Sequence, residues 1–409
     1  MKKRLVSILA SLVIPVLATG IYSKKLVIIR DCRVKPDNDI DFYLIILYLY
    51  NMTTKQKVFQ ILTENSGSYV SGEKLAMECG VSRAAIWKAV KAIREEGFAI
   101  EGSNNNGYTL SAKQSNDVLS QQVLKYTMAQ AFPEFTHSHI EYFQTIDSTN
   151  TYAKKLAAQD ASKYHQAIIV AESQTAGRGR IGRTFESPAG TGVYLSLIIT
   201  PQGGITQPAV ITASAAVAVC RAIKNLYGVQ PAIKWINDIY VQNDGVLKKA
   251  VGILTEGITN FETGQIESAV IGIGVNISPS DKIKKSAAKD IAGFLTCAPR
   301  IDDARDATEN RASSRARFIA EIAGQVFNIL NEPLPEVIAE YKSMMFLKDK
   351  TLTVYPLIGD DKSAYQAKAI DVDENAGLVV EMKDGTIKLL SSGEVTLHGG
   401  PSTGSGTPG

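Results

Sequence analysis

Two apolar runs, "AIIVAESQ" (167–174) and "GVYLSLII" (192–199), read as buried strands, and the stretch between them carries no helical periodicity. That stretch, "TAGRGRIGRTFESPAGT", interleaves Gly177, Gly179 and Gly182 with Arg178, Arg180 and Arg183. Gly177 to Gly182 satisfies the G-x-G-x-x-G spacing, but a dinucleotide fold needs its last glycine to open a helix whose N-terminus meets a pyrophosphate. Here Thr184 to Gly190 is a loop running straight into another strand, and no acid follows at ribose-binding distance. A P-loop fails as well, because no Gly-Lys-Ser/Thr follows. What remains is a glycine-rich strand-to-strand loop carrying three guanidinium groups. Glycine lets backbone N–H groups approach an anion, and arginine supplies planar forks matched to phosphate or carboxylate oxygens. The pattern points to anion capture in a pocket; an exposed Arg/Gly RNA-binding tract is the alternative.

The flanking segments alternate strand-like and helical patterns. "HIEYFQTI" leads into Asp147-Ser148-Thr149-Asn150, whose polar side chains start a helix through Ala158. "PAVITASAAVAVCRAIKNLYG" is almost wholly small and apolar and reads as a buried helix, while "AIKWINDIYV" and "SAVIGIGVNI" read as strands. Alternation along the first of these strands puts Lys234 on one face with Ile236 and Asp238, and Trp235 on the other with Asn237. A lysine among apolar strand residues is costly to bury unless paired. An anionic ligand or a structural pair with Asp238 would meet that need, and Lys249 before "AVGIL" repeats the arrangement.

A net charge of +3 on 409 residues is too small to argue nucleic-acid binding for the whole chain, so any basic surface is local. Such a surface appears soon after Met52. Val58, Ile61 and Leu62 share a face of a first helix; Ser71 caps a second through Glu78; Gly80 makes a turn; Ser82 caps a third that runs to Glu96 and ends at Gly97. In the third helix Ile86, Ala89, Val90 and Ile93 face inward, and Arg83, Trp87, Lys88, Lys91 and Arg94 face outward. "FAIEGSNNNGYTL" then reads as a hairpin with a tight primed turn at Asn106-Gly107. Helices followed by a hairpin make a winged helix-turn-helix that reads DNA with its third helix. A merely solvated face, or a winged helix used for protein contacts, is the plainer reading.

The first fifty residues differ from the rest. Lys2, Lys3 and Arg4 precede an apolar run from Leu5 to Ala18, the outline of a signal peptide or short anchor, interrupted by Pro15. A second apolar stretch spans Phe42 to Tyr50. Either translation starts at Met52, the favoured expectation, or a membrane-tethered form exists. Cys32, Cys79, Cys220 and Cys297 are far apart with no C-x-x-C spacing, and read as free thiols in a reducing compartment.

Together "DSTN" (147–150), "ESQTAGRGRIGR" (172–183), "KWINDIY" (234–240), "KKAVGILTE" (248–256) and "GIGVNI" (272–277), behind a winged helix, resemble the bacterial bifunctional biotin–protein ligase and biotin operon repressor family. The resemblance runs from Met52 to about Gly399. It implies an α+β chain: winged helix-turn-helix (52–112), linker helix (113–135), an α/β catalytic domain with a mixed, class II synthetase-like sheet (136–345), an SH3-like C-terminal barrel (346–399) and a flexible tail (400–409). It also implies a two-step ligase using biotin, ATP and Mg²⁺ as substrates, with no tightly bound prosthetic group and no protein-bound metal. The acceptor would be a lysine of a biotin carboxyl carrier protein. Operator DNA would be bound by a homodimer carrying biotinyl-5′-AMP, in the cytoplasm, with no membrane partner.

Carried over by position, Ser148, Thr149, Asn150 and Gln174 would hold biotin, and Arg178, Gly179 and Arg180 would close over biotin and phosphate. Lys234 would touch the carboxylate and α-phosphate, making Lys234, Arg178 and Arg180 the catalytic set. Arg180, Arg183, Phe185, Asn237, Asp238 and Lys249 would lie near the nucleotide. Ile236 stands where the family commonly has proline, and Phe185 where many members have tryptophan. A lipoate-type ligase and a biotin-sensing regulator with weak catalysis are the competing readings.

Overall fold

The computed structural model describes residues 52–397, apart from 66, 96–97, 104, 111–116, 202–203, 260–263, 299–314 and 357–362. The extension 1–51 with Cys32, the end of the third helix at Gly97 and the tail 400–409 therefore lie outside the described residues.

The N-terminal helices begin and end where their capping residues stand. Thr53 and Gln56 form a capping box at α1 (Thr54–Glu64), and Ser71 accepts the Lys74 N–H at α2 (Gly72–Cys79). Gly80, at φ +69°, ends α2 in the left-handed conformation, and Ser82 accepts the Ala85 N–H at the start of α3 (Arg83–Glu95). Ile86, Ala89, Val90 and Ile93 of α3 pack on Val58, Phe59, Leu62 and Leu75, forming a core separate from the rest. β1 (Ile100–Ser103) and β2 (Gly107–Leu110) form the hairpin. Ser103 pairs with Gly107, so three residues join the strands and the two-residue turn expected at Asn106-Gly107 is not made. The competing demand is tertiary. Tyr108 and Val70 exchange backbone hydrogen bonds of 2.9 and 2.8 Å, and a side chain at Gly107 would collide with the Val70 and Ser71 backbone. α4 (Gln121–Ala131), capped by Ser120, is shorter than the expected linker helix.

The central sheet has seven strands in the order β3-β4-β5-β9-β8-β7-β6. They are β3 (Ile140–Phe143), β4 (Ile168–Ala171), β5 (Gly192–Ile199), β6 (Ala232–Lys234), β7 (Asp238–Asn243), β8 (Val246–Thr259) and β9 (Ile266–Asn276). Only β3 and β4 pair in parallel, so the sheet is mixed. Strand alternation sorts its two faces. Ile168, Val170, Leu195, Leu197, Ile271 and Ile273 join the main core, while Ile169, Ile198 and Val270 meet Ala153, Leu156 and Ala157 of α5 (Thr149–Gln159).

On the core side lies α6 (Pro208–Tyr227), long and apolar enough to cross a membrane, with 67% of its most apolar window buried. It packs between the sheet and two later helices, α8 (Arg315–Ile329) and α9 (Leu334–Met344); a short α7 (Asp281–Lys284) precedes them. The C-terminal strands β10 (Thr351–Tyr355), β11 (Tyr365–Val372), β12 (Leu378–Met382), β13 (Ile387–Leu390) and β14 (Glu394–Leu397) form an antiparallel sheet ordered β13-β12-β11-β10-β14. Their inward residues Leu352, Val354, Val380 and Val395 continue the main core. Arg315 ties these parts to the segment behind the winged helix: its guanidinium bonds Asp117 at 2.9 Å and Glu172 at 2.7 Å.

Candidate active site

A cleft of about 460 Å³ opens on the α5 face of the sheet, and its floor is made by the residues that alternation denies to the core. Gly272 and Gly274 of β9 and Gly252 of β8 lie there. Each glycine has a packing reason. A side chain at Gly272 would collide with the Asn150 amide, and one at Gly274 with the Phe185 ring, which also lies against Gly252.

One end of the cleft is polar and uncharged. Ser148 caps α5 by accepting the Thr151 N–H, which brings Thr149 and Asn150 into its first turn. Gln174 Oε1 accepts the Thr149 N–H at 2.9 Å, and Gln174 Nε2 donates to Ser187 Oγ at 2.9 Å. Ser196 of β5, fully buried, reaches Asn150 Oδ1 at 2.5 Å and Thr149 Oγ1 at 2.8 Å.

The other end is cationic. Arg178, Gly179, Arg180 and Lys249 line it with Asn237. The arginine stretch is a small hairpin: Arg178 bridges Thr184, Gly179 N–H bonds Arg183 O at 2.6 Å, and Phe185 N–H bonds Gly177 O at 2.9 Å. Arg180 donates to Asn237 Oδ1 at 3.0 Å and to the Gly393 carbonyl at 3.1 Å. Arg183 makes a two-pronged pair with Glu394, both contacts at 2.7 Å. Of the expected nucleotide residues, Arg183 thus binds the C-terminal sheet and does not line the cleft.

Lys234 to Asp238 is not one strand. β6 ends at Lys234, β7 begins at Asp238, and these two residues pair across a turn of Trp235, Ile236 and Asn237, whose Trp235–Ile236 peptide is cis. The expected alternation through this stretch is therefore overturned, because anchors elsewhere fix the turn. Trp235 Nε1 donates to Ala376 O at 2.8 Å, Tyr341 donates to Ile236 O at 3.2 Å, and Asn237 Nδ2 donates to Ile253 O at 2.9 Å. Among the described residues the Asp238 carboxylate makes no ion pair with the Lys234 ammonium. Its Oδ1 lies 2.7 Å from Lys249 Nζ, a charge contact without hydrogen-bond alignment.

Lys234 is 8% exposed and sits behind the lining residues rather than among them. Among the described residues its ammonium has neither a hydrogen bond nor an ion pair, only the more distant charges of Asp238, Lys249, Glu394 and Arg183. Burial pushes its pKa below the ordinary lysine range; Asp238 opposes this and Lys249 adds to it.

Two residues escaped the sequence reading. Ser196 is an unremarkable serine in an apolar strand, and nothing local marks it. Glu256 closes "KKAVGILTE" and shares the cleft face with Gly252 and Leu254, a period-two signal that was available. Its carboxylate takes Lys154 Nζ at 2.8 Å and Asn150 Nδ2 at 3.0 Å, and lies 3.4 Å from Arg178. Burial pushes its pKa up, but the bonds from Lys154 and Asn150 reverse this and leave it below the ordinary glutamate value.

On the outer face of α3, Arg83, Lys88, Lys91 and Arg94 are exposed, and Trp87 is 56% exposed. Lys91 Nζ lies 5.8 Å from the Trp87 ring centre. Arg94 also donates to Ile100 O at 2.8 Å, bracing the hairpin against the helix.

A basic helix-turn-helix with a wing, joined to a mixed sheet bearing a polar and cationic cleft, is the arrangement of a ligase that also has a DNA-binding module. Residues 142–276 match the biotin/lipoate A/B protein ligase family and residues 54–109 an HTH domain family. The chain belongs to the family of the bifunctional ligase/repressor BirA. It is 34% identical over 342 residues to that protein of Bacillus spizizenii, covering 83% of this chain and 98% of the relative. It is 26% identical over 337 residues to that of Escherichia coli, covering 81% and 94%. Among solved structures, the biotin protein ligase of Aquifex aeolicus in complex with biotin and ATP aligns with a TM-score of 0.48 at 22% identity, covering 64% of this chain and 98% of that one.

Proposed function

We infer that the chain is an ATP-dependent biotin–protein ligase that also represses transcription, with biotinyl-5′-AMP as corepressor. The observation that carries this reading is one cleft with an uncharged hydrogen-bonding end and a cationic end in a member of this family. A ureido ring needs donors and acceptors, and Ser148, Thr149, Asn150 and Gln174 supply both. A valeryl carboxylate meeting an α-phosphate needs cations, and Arg178, Arg180 and Lys249 stand at that end. The dithiolane of lipoate offers no hydrogen-bonding partner for the polar end, so biotin is the better match.

In the first step the biotin carboxylate oxygen attacks the α-phosphorus of magnesium-bound ATP, and pyrophosphate leaves. Lys234, Arg178 and Arg180 act by stabilising the negative charge gathering on the α-phosphate oxygens. A buried ammonium with no partner of its own interacts strongly with such a charge, and binding an anion relieves its burial. Asn237 holds Arg180 in place, and Phe185 on its glycine floor walls the nucleotide side. Arg183 acts at one remove, fastening the arginine hairpin to the C-terminal sheet through Glu394. Asp238 keeps Lys249 oriented. In the second step a carrier-protein lysine attacks the mixed anhydride and AMP leaves, so the hairpin must exclude water until the acceptor arrives.

The outer face of α3 reads operator DNA through Arg83, Trp87, Lys88 and Lys91, with Arg94 shared between DNA and the wing. A homodimer would set two such helices on a two-fold operator. The domain limits 52–112, 136–345 and 346–399 go with this reading. So does an SH3-like fold for the last five strands, supported by their short antiparallel order and by a register shift between Ala369 and Asp371, although β13 and β14 do not pair with each other. Dependence on ATP and cytosolic acceptors places the activity in the cytoplasm. The test is ATP-dependent incorporation of biotin into a carrier-protein domain, alongside operator binding with and without biotin and ATP. Operator binding with no incorporation would leave a regulator without catalysis.

A further inference from the structure

We propose that Glu256 is the positioning residue that sets the donor–acceptor polarity of the biotin-ring end of the cleft; this rests on the ligase reading above. The residue touches no reacting atom. It acts through Asn150, whose amide has two orientations that differ only in which side donates.

On one side of that amide stand two groups that only accept: the Glu256 carboxylate at 3.0 Å and the Leu254 carbonyl at 3.3 Å. They hold the amide NH₂, so Asn150 Oδ1 must face Ser196. Ser196 has one hydroxyl proton and two neighbours, Asn150 Oδ1 at 2.5 Å and Thr149 Oγ1 at 2.8 Å. The amide oxygen can only accept, so it takes that proton. The Thr149 hydroxyl must then donate inside the protein, to Ser196 or to Gln174 Oε1 at 3.2 Å. Its lone pairs are what remain for the cleft. A carboxylate on β8 thereby presents an acceptor to a ring N–H of the ligand.

Lys154 makes this one-way. Its ammonium donates to the other carboxylate oxygen at 2.8 Å and holds Glu256 as an acceptor. In Glu256→Gln the Lys154 cation would draw the new amide oxygen, turning the new NH₂ toward Asn150. Asn150 would flip, Ser196 would donate to Thr149, and the Thr149 hydroxyl would offer the cleft one lone pair fewer, its proton going to Gln174 or to the cleft. The same carboxylate lies 3.4 Å from Arg178, so it also borders the anion-binding hairpin.

The experiment measures dissociation constants for biotin, for ATP, and for biotin methylated at either ureido nitrogen. Wild type, E256Q, E256D and K154M/E256Q are compared, with melting curves to confirm folding. E256Q is expected to weaken biotin roughly tenfold or more, to change ATP binding clearly less than that, and to shrink the penalty for methylating one ring nitrogen. E256D keeps an acceptor and should retain more biotin affinity than E256Q. K154M/E256Q frees the glutamine to turn its carbonyl toward Asn150, so biotin binding should partly recover. Unchanged biotin binding in E256Q, or equal losses for biotin and ATP with the methylation penalty intact and no recovery in the double variant, would overturn the role of Glu256 alone. A folded wild type that binds no biotin would overturn the ligase reading itself, and this role with it.

Discussion

The winged helix and the cleft teach opposite lessons about where function sits in a chain. The basic face proposed to read DNA lies on one helix of thirteen residues, so its outward residues are set by helical periodicity alone. The cleft draws on six separate segments, and its hydrogen bonds join residues as far apart as Asn150 and Glu256 or Arg180 and Gly393. Substitutions on the helix should therefore act singly, and substitutions in the cleft should spread.

The largest expected effect lies where the two regions are joined. Arg315→Met removes the guanidinium between Asp117 and Glu172 and leaves the Glu172 carboxylate, 9% exposed, without its cation. Breaking such a buried pair costs about 3–5 kcal/mol. Denaturant unfolding measures it, and a loss below about 1 kcal/mol would show that the two regions are not fastened there.

Lys234→Met should separate stability from activity. Removing a cation that stabilises transition-state charge costs about 10²–10³-fold in kcat. The ligand-free protein should nonetheless gain stability, on the order of 1 kcal/mol, because a buried cation without a partner is lost. The pH dependence follows from the lowered pKa. In the alkaline window between the folded value and the ordinary lysine value, the unfolded chain binds more protons than the folded one. Ligand-free stability therefore gains as pH rises through that window, and the gain is absent in Lys234→Met. Thermal melts of both proteins from neutral to alkaline pH check the sign.

On the helix, Arg83→Ala or Lys91→Ala should weaken operator binding by about 1–3 kcal/mol where the contact is to a base, with ligase activity unchanged. Gel shifts that match wild type for both variants would remove α3 as the reader. The smallest effect is expected for Glu394→Gln, which loosens the Arg183 pair. Arg183 is 45% exposed, so stability should fall by about 1 kcal/mol or less. The KM for ATP should move more than the KM for biotin, because the arginine hairpin loses an anchor.

What could be read from the chain follows the same division. Ser71, Gly80 and Ser82 announce the helix-turn-helix because caps act within four residues. "GVYLSLII" and all but the last residue of "SAVIGIGVNI" are strand, as their apolar runs predict. Reading failed at Trp235 to Asn237, where Ala376, Tyr341 and Ile253 hold a turn that local pattern reads as strand. At Arg183 the guanidinium pairs with a glutamate 211 residues further along, a contact that no local pattern signals. Asn106-Gly107 missed its tight turn because Val70 claims Tyr108. In each case a partner distant in sequence overrode a sound local preference.

The most direct test of the account is biotin-dependent exchange of labelled pyrophosphate into ATP, which reports adenylate formation without needing the carrier protein. Exchange should require biotin, should not be supported by lipoate, and should fall about 10²–10³-fold in Lys234→Met. Exchange supported equally by lipoate, or unchanged by the loss of Lys234, would contradict the assignment of this cleft and of the buried lysine behind it.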